Sequence, residues 1–411
     1  NMELVQEKYK QTEIGLIPND WKILNLGKSS TLKARIGWQG LTTAEYLKTG
    51  ECYLITGTDF KNGYIDWDNC VYVEKERYIQ DKNIQVKIDD ILVTKDGTIG
   101  KVAFIDKIIK QTTLNSGVFV IRPINKKYNS RYLYYVLMSE YFIDFLNRLT
   151  AGSTISHLYQ KDFVHFVMPL PSLKEQDHIA TALSNTDNWI TNLENLLTKK
   201  RQIKQAALQE LLKPKQGWAN KTIRQVAKYR RGSFPQPYGL DKWYDDYNGM
   251  PFVQVYDVDD NKKLKSDTKR KISIEGAKFS VFVEKGSVIL TIQGSIGRIA
   301  ITQYDAYVDR TLLIFESFSV PFDKYFFVAI IFLLFEKEKE KAPGGIIKTI
   351  TKEALSSFEI SYPSIKEQTR IATILSDMDL EIEQLETKLE KAKKIKQGMM
   401  QELLTGKTRL V

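Results

Sequence analysis

The stretch "PSIKEQTRIATIL" at residues 363–375 repeats, almost letter for letter, the stretch "PSLKEQDHIATAL" at 171–183. The agreement continues beyond the phrase. Residues 171–212 and 363–404 are identical at just over half of their positions, keeping Lys174/Lys366, Glu175/Glu367, Gln176/Gln368, Leu193/Leu385, Leu197/Leu389, Ile203/Ile395 and a closing "QELL" in step at an offset of 192. Upstream, "ILVTKDGTIGKVAF" from Ile91 is echoed by "VILTIQGSIGRIAI" from Val288 at an offset of 197. The order of parts is the same in both halves, so the chain reads as an internal duplication of a domain-plus-helix unit, with a period far too long for a solenoid.

The repeated blocks carry the fold. In the second, Ile371, Leu375, Met378, Ile382, Leu385 and Leu389 step by four and three among Glu and Lys, the pattern of a coiled-coil seam. In the first, Ile179, Leu183, Ile190, Leu193 and Leu197 keep the same register, with Thr186 as a weak step. Ser172 and Ser364 stand as helix N-caps with Glu175 and Glu367 three residues on, the spacing of a capping box. Pro214 and Gly217 stop the first helix, and Gly406 the second. Two such seams in one chain predict an antiparallel pair. The blocks before them hold short strand-like runs such as "CYLITGTDF", "CVYVEKERYI", "GVFVIRP", "MPFVQVYDV" and "SVILTIQG", and each closes with a core helix, "YLYYVLMSEYFIDFL" or "YFFVAIIFLLFEKEKEK". The expected fold class is therefore α+β with pseudo-twofold internal duplication. Its parts are a first domain at 1–170, a helix at 171–213, a second domain at 214–362, a helix at 363–406 and a tail at 407–411.

Composition bounds the function. A chain of 411 residues exceeds what one core usually organises. Sixty Lys plus Arg against 50 Asp plus Glu favour a polyanionic partner, although an ordinary basic protein would show the same balance. Two cysteines, Cys52 and Cys70, are too few for a disulfide framework or a four-Cys zinc site, which suits a reducing, cytoplasmic setting, and His157, His165 and His178 lack metal-ligand spacing. The opening residues have no signal-peptide pattern, and the longest strongly apolar run, Tyr325 to Phe335, is too short to span a bilayer, so no membrane is expected.

Enzyme motifs are missing. No two prolines are adjacent, so the Asn/Asp-Pro-Pro-aromatic loop of a DNA methyltransferase is absent. "GTIG" and "GSIG" are too short for a dinucleotide or S-adenosylmethionine fingerprint and read as tight turns between strands, while "GKT" at 406–408 follows a helix and reads as its stop. No acid cluster repeats in both halves. Catalytic and metal residues are expected to be none.

What does repeat fits DNA. "LKARIGWQGLTTAEYL" presents Lys33, Arg35, Trp38 and Gln39 in a Gly-punctuated stretch, and "KYRRGSFPQPYGLDKWY" presents Arg230, Arg231, Gln236 and Tyr238 in another. Arg can fork onto guanine and Gln onto adenine, and both can hold phosphates; a solvated basic loop would carry the same residues. The turns "TKDGTIGK" and "TIQGSIGR" set Lys95, Thr98 and Lys101 against Gln293, Ser295 and Arg298, one scaffold with different tips. Ser153, Thr154, Lys161 and Lys348 lie in the loops before the long helices and could clamp phosphates, or merely order those loops.

Taken together, "IGLIPNDW", "RIGWQGLTTAEYL…ITGTDF", "RRGSFPQPY…GMPFVQVYDV" and the two "PS[LI]KEQ…IA" helices resemble the specificity subunit of type I restriction-modification enzymes over essentially the whole chain. The resemblance implies a non-catalytic reader with two target-recognition domains, each contacting half of a split asymmetric site in double-stranded DNA, and an antiparallel coiled coil that sets the spacer. It also implies docking of two methyltransferase subunits and of ATP-driven restriction subunits, with S-adenosylmethionine, ATP and Mg on those partners and no cofactor in this chain. A stand-alone DNA-binding regulator of the same duplicated fold is the alternative, and a scaffold without DNA a more distant one. Lys200, Lys204 and Trp189 break the clean seam of the first helix and are expected to face a partner protein.

Overall fold

The computed structural model describes residues 8–37, 40–150, 157–341, 350 and 352–411. It divides into two compact units, Asn1–Asn192 with Leu389–Val411 and Leu193–Lys388, so each long helix contributes to both.

Both units carry the same sheet. In the first, strands Val102–Phe104, Ile91–Thr94, Val118–Pro123 and Ser30–Lys33 lie side by side in that order, all antiparallel. In the second, Ile299–Ile301, Val288–Thr291, Leu312–Phe318 and Ala227–Arg231 repeat the order and direction. A second sheet accompanies it, of three strands in the first unit and four in the second, each built on one parallel pair: Gln111–Leu114 on Cys52–Ile55, and Ala306–Val308 on Met250–Val253. Central strands such as Ile91–Thr94 and Val288–Thr291 are buried on both faces, which is why they read as continuous apolar runs rather than alternating ones.

Helices pack over these sheets. The stretch expected as one core helix in the first half is two, Ser130–Leu137 and Glu140–Thr150, whereas Lys324–Lys341 is continuous and buried around most of its apolar first half. Residues from "CVYVEKERYI" also divide, into strand Val71–Val73 and helix Lys75–Ile79. Among the described residues no helix is long and apolar enough to cross a membrane.

The long helices are Leu173–Leu211 and Ile365–Leu403, 39 residues each. Their pairing is antiparallel in each unit. In the first, Lys396 bonds Asp187 at 2.6 Å and Thr186 contacts Met399; in the second, Lys204 pairs with Asp379 and Lys200 with Glu381 at 2.6 Å. Asp187 and Asp379 are equivalent positions of the repeat, and so are Lys396 and Lys204, so the duplication appears in the contacts themselves. Each aspartate also accepts a core tyrosine hydroxyl, from Tyr135 at 2.7 Å and from Tyr325 respectively. Ile179, Leu183, Leu193, Leu197, Ile371, Leu375, Ile382 and Leu389 are buried, and Ile190, Met378 and Leu385 half-buried. Ile179 and Leu183 join the core of the first unit with Leu403 and Leu404, and Ile371 and Leu375 join that of the second with Leu208 and Leu212.

Two expectations change. Lys200 and Lys204, which break the apolar seam, find their carboxylates on the opposite long helix, in Glu381 and Asp379. The capping box is only half formed: Ser172 Oγ accepts the Glu175 N–H at 3.2 Å, but the Glu175 carboxylate turns inward to Trp21 Nε1 at 3.1 Å and Arg409 Nε at 2.6 Å. Glu367 instead binds Arg370 on its own helix. The residue the two phrases use alike is glutamine. Buried Gln176 accepts the Asn129 N–H at 2.9 Å and donates to Pro171 O, and Gln368 accepts the Asp323 N–H at 3.1 Å and donates to Pro363 O. Each amide joins the start of a long helix to the start of a shorter helix of the domain before it.

Candidate nucleic-acid interface

Four loop segments meet in each unit, held by two equivalent backbone bonds and one side-chain amide bond to a tyrosine hydroxyl. In the first unit Lys95 N–H donates to Gly117 O at 2.8 Å, Asn115 N–H to Ile55 O at 3.0 Å, and Asn115 Nδ2 to the Tyr46 hydroxyl at 3.4 Å. In the second, Ile292 N–H donates to Thr311 O at 3.0 Å, Asp309 N–H to Val253 O at 3.0 Å, and Gln254 Nε2 to the Tyr238 hydroxyl at 3.0 Å.

The hairpin tips show how the scaffold is kept while the surface varies. Thr94 Oγ1 donates to Thr98 O at 2.6 Å and accepts the Lys101 N–H at 2.9 Å; Thr291 Oγ1 donates to Ser295 O at 2.5 Å and accepts the Arg298 N–H at 3.0 Å. Gly97 and Gly100, like Gly294 and Gly297, adopt positive φ, which glycine alone takes without strain. A Cβ at Gly297 would run into the Phe335 ring, so the tip also seats on the core helix. "GTIG" and "GSIG" are therefore tight turns, as their length suggests. Thr98, Lys101, Gln293 and Ser295 are exposed on them, and Lys95 is half-buried with its ammonium 5.2 Å from the Phe119 ring centre.

Other candidates separate. Lys33, Arg230, Arg231, Gln236 and Tyr238 are exposed, and Lys161 is exposed beside the Tyr159 ring, in a segment tied to the first tip by Leu158 N–H to Lys95 O at 2.8 Å and by His157 with Asp96. Arg298 is partly engaged, pairing with Asp260 at 2.8 Å. Arg35 is a correction. It is 2% exposed, and its guanidinium donates to Leu114 O, Thr113 Oγ1, Gln80 Oε1 and Arg77 O at 2.9–3.3 Å, so it braces the domain instead of reaching a base. Burial first, then the nearby Arg77 charge, lowers its affinity for its proton. Trp38, Gln39, Ser153, Thr154 and Lys348 lie outside the described residues.

Besides Tyr238, residues not singled out from the sequence complete the surface of the second unit. Tyr238, Tyr244 and Tyr256 each carry a cation over the ring: Arg310 at 4.8 Å, Arg270 at 3.8 Å and Lys269 at 5.0 Å. Gln254 sits between two of them, donating to the Tyr238 hydroxyl and accepting from that of Tyr256, whose titration burial and Asp257 push up to about 12. Aromatic faces with Arg or Lys above them suit a polyanion with stacked bases. A signal was available: "TGTD" and "QVYD" hold equivalent positions, with Thr56 and Gln254 N–H groups donating to Asp59 and Asp257. Among the described residues no cluster of His, Cys, Asp and Glu could hold a metal ion.

The family model described as the type I restriction modification DNA specificity domain matches twice, at residues 38–205 and 215–394. The chain belongs to this family. A putative type I restriction enzyme MjaX specificity subunit of Methanocaldococcus jannaschii is 26% identical over 98% of this chain and 97% of its own. The crystal structure of a type I restriction-modification S subunit from M. genitalium superposes with TM-score 0.61 at 16% identity, covering 93% of this chain and 96% of that one. A chain from a structural study of complex assembly and conformational transition in the type I R-M system gives TM-score 0.56 at 16% identity over 95% and 99%. At these identities the structural likeness speaks for the fold: a duplicated α+β domain, each copy packed with part of an antiparallel pair of long helices.

Proposed function

We propose that this specificity subunit reads a bipartite, asymmetric site in double-stranded DNA, one half with each loop cluster, while the helix pair sets the spacer. The observation that carries the reading is the shared scaffold with unlike tips: the same threonine hydroxyls and glycine turns present Lys95, Asp96 and Thr98 in one unit and Gln293 and Ser295 in the other, where Ile292, the counterpart of Lys95, is buried in the core. Base contacts specify sequence whereas phosphate contacts position the protein, so unlike tips on like frames suit two different half-sites. Lys33, Lys101, Lys161, Arg230 and Arg231 would supply the salt-dependent phosphate term.

The subunit is non-catalytic and cytoplasmic in this reading. It docks two adenine-N6 methyltransferase subunits and then restriction subunits, which bring S-adenosylmethionine, ATP and Mg. The test is to map N6-methyladenine in a genome that expresses this chain with its methyltransferase. A split motif of fixed spacing is expected, and exchanging residues 1–170 for another family member's block should change one half of it only. Specific binding without any methylation in the presence of that partner would instead favour a stand-alone regulator.

A further inference from the structure

Two buried side-chain polar atoms among the described residues have no hydrogen-bond partner, the Tyr134 hydroxyl and Asp309 Oδ1. Tyr134 lies deep in the first unit's core. Asp309 lies in the loop cluster of the second. It is 1% exposed, follows strand Ala306–Val308, and spends its other oxygen on Thr311, accepting from Oγ1 at 2.6 Å and N–H at 3.3 Å. Gly232 packs so closely on this turn that a Cβ there would fall on the carbonyl oxygens of Val308 and Asp309. The candidate loop Arg231–Tyr238 is thereby pressed against it.

The equivalent residue in the first unit is Asn115. Its Oδ1 accepts the Gly117 N–H at 2.7 Å and its Nδ2 reaches Tyr46, so it is satisfied on both sides. The halves thus share a bond to the turn and differ in what the second atom does. An unpaired buried acceptor is costly and calls for a partner that the free protein lacks. Burial, and after it the Asp309 charge, holds the Tyr238 phenol above its ordinary range; Tyr238 ends the loop that Gly232 presses on this turn, is exposed, and carries Arg310 over its ring.

Resting on the DNA-reading function above, we propose that Asp309 is a specificity-determining residue of the second unit, its free Oδ1 accepting the exocyclic amino group of one base in the major groove once the Arg231–Tyr238 loop packed on its turn shifts onto the DNA. A carboxylate takes such a bond from cytosine N4 or adenine N6 and repels the carbonyl oxygens of guanine and thymine. Arg310 then turns from the Tyr238 ring to a phosphate.

The experiment starts by selecting binding sites from random duplexes with the full chain. Each position of the half-site that follows residues 214–362 is then scanned with bases lacking the amino group, 2-pyrimidinone for cytosine and purine for adenine. One substitution should weaken wild-type binding about 10- to 100-fold, and which analogue does so identifies the base. Asp309→Asn, which keeps the acceptor toward Thr311 and sets an NH₂ where Oδ1 stood, should lose that preference at the same position and leave the other half-site unchanged. If no amino-less analogue weakens the wild type, or folded Asp309→Asn selects the same half-site with equal affinity, the proposal is overturned. If the wild type selects no sequence at all, the function itself fails instead. The analogue scan needs no variant, so a misfolded Asp309→Asn leaves the proposal testable.

Discussion

Arg409→Ala tests the account of the repeated phrase. Glu175, the third residue of its helix, is buried and receives three donors, Trp21 Nε1 and the Nε and NH2 of Arg409 at 2.6–3.1 Å, while Arg409 also forks onto Asp20 at 2.7 and 2.9 Å. Removing one member of a fully buried pair costs about 3–5 kcal/mol because a charge is left unmatched. Here Trp21 remains, and Arg409 is 28% exposed, so water enters the gap. The expected loss is about 2–3 kcal/mol for the first unit, which at about 2–4 °C per kcal/mol lowers its melting temperature by about 4–12 °C. Glu175→Gln, which keeps an acceptor for Trp21 and removes the charge, should cost less, and Arg409→Ala added to it should cost little more. Thermal and urea unfolding followed by circular dichroism measure both. A melting temperature within about 1 °C of wild type for Arg409→Ala, or fully additive losses in the double variant, would refute the coupled buried pair.

Other outcomes follow from the same structure. One heptad inserted into both long helices adds about 10 Å of helix, close to three base pairs of duplex, so selected sites should keep their half-sites and lengthen the spacer; sequencing the selected pool reads this directly. Gly232→Ala should destabilise the second unit by about 2–3 kcal/mol because backbone oxygens cannot yield, whereas Gly398→Ala, in a helix with open space around it, should stabilise by up to about 1 kcal/mol; urea midpoints compare them. The hydrogen bond from Arg409, helped by its charge, holds the Asp20 carboxyl below its ordinary range against the opposing effect of burial. With its folded value depressed, the stability it confers is full above the ordinary carboxylate range and fades as pH falls through the folded value. Stability measured against pH should therefore fall less steeply below about pH 4 in Arg409→Ala than in wild type.

The duplication and the helix pair were legible because a heptad seam is a periodic signal and the two copies could be laid against each other. Sheet pairing was legible only as strand-rich runs; the order of strands depends on contacts far apart in sequence. At the interface, exposed turn residues such as Thr98 and Ser295 could be read from spacing, since the residue after the first glycine of each Gly-x-x-Gly turn is polar and faces out while the isoleucine that follows it turns inward. Arg35 could not. In sequence it looks like any loop arginine, and only the carbonyls of Leu114 and Arg77, brought in by distant segments, make it internal. Asp309 and Gln254 were missed for the same reason: a lone polar residue at a strand end gains meaning from what stands across from it.

The helix contacts have one more consequence. Because Asp187 meets Lys396 and Lys204 meets Asp379, and because these are equivalent positions, the first long helix alone carries an aspartate and a lysine placed to complement a second copy of itself. A polypeptide ending after Leu212 therefore holds everything an isologous homodimer requires at this seam. On the proposed DNA-reading function, such a dimer would present one reader twice, and its binding site would be a palindrome. In this light the asymmetric molecule is a fused pair whose halves have been free to diverge at their tips, held together by a seam that kept its self-complementarity.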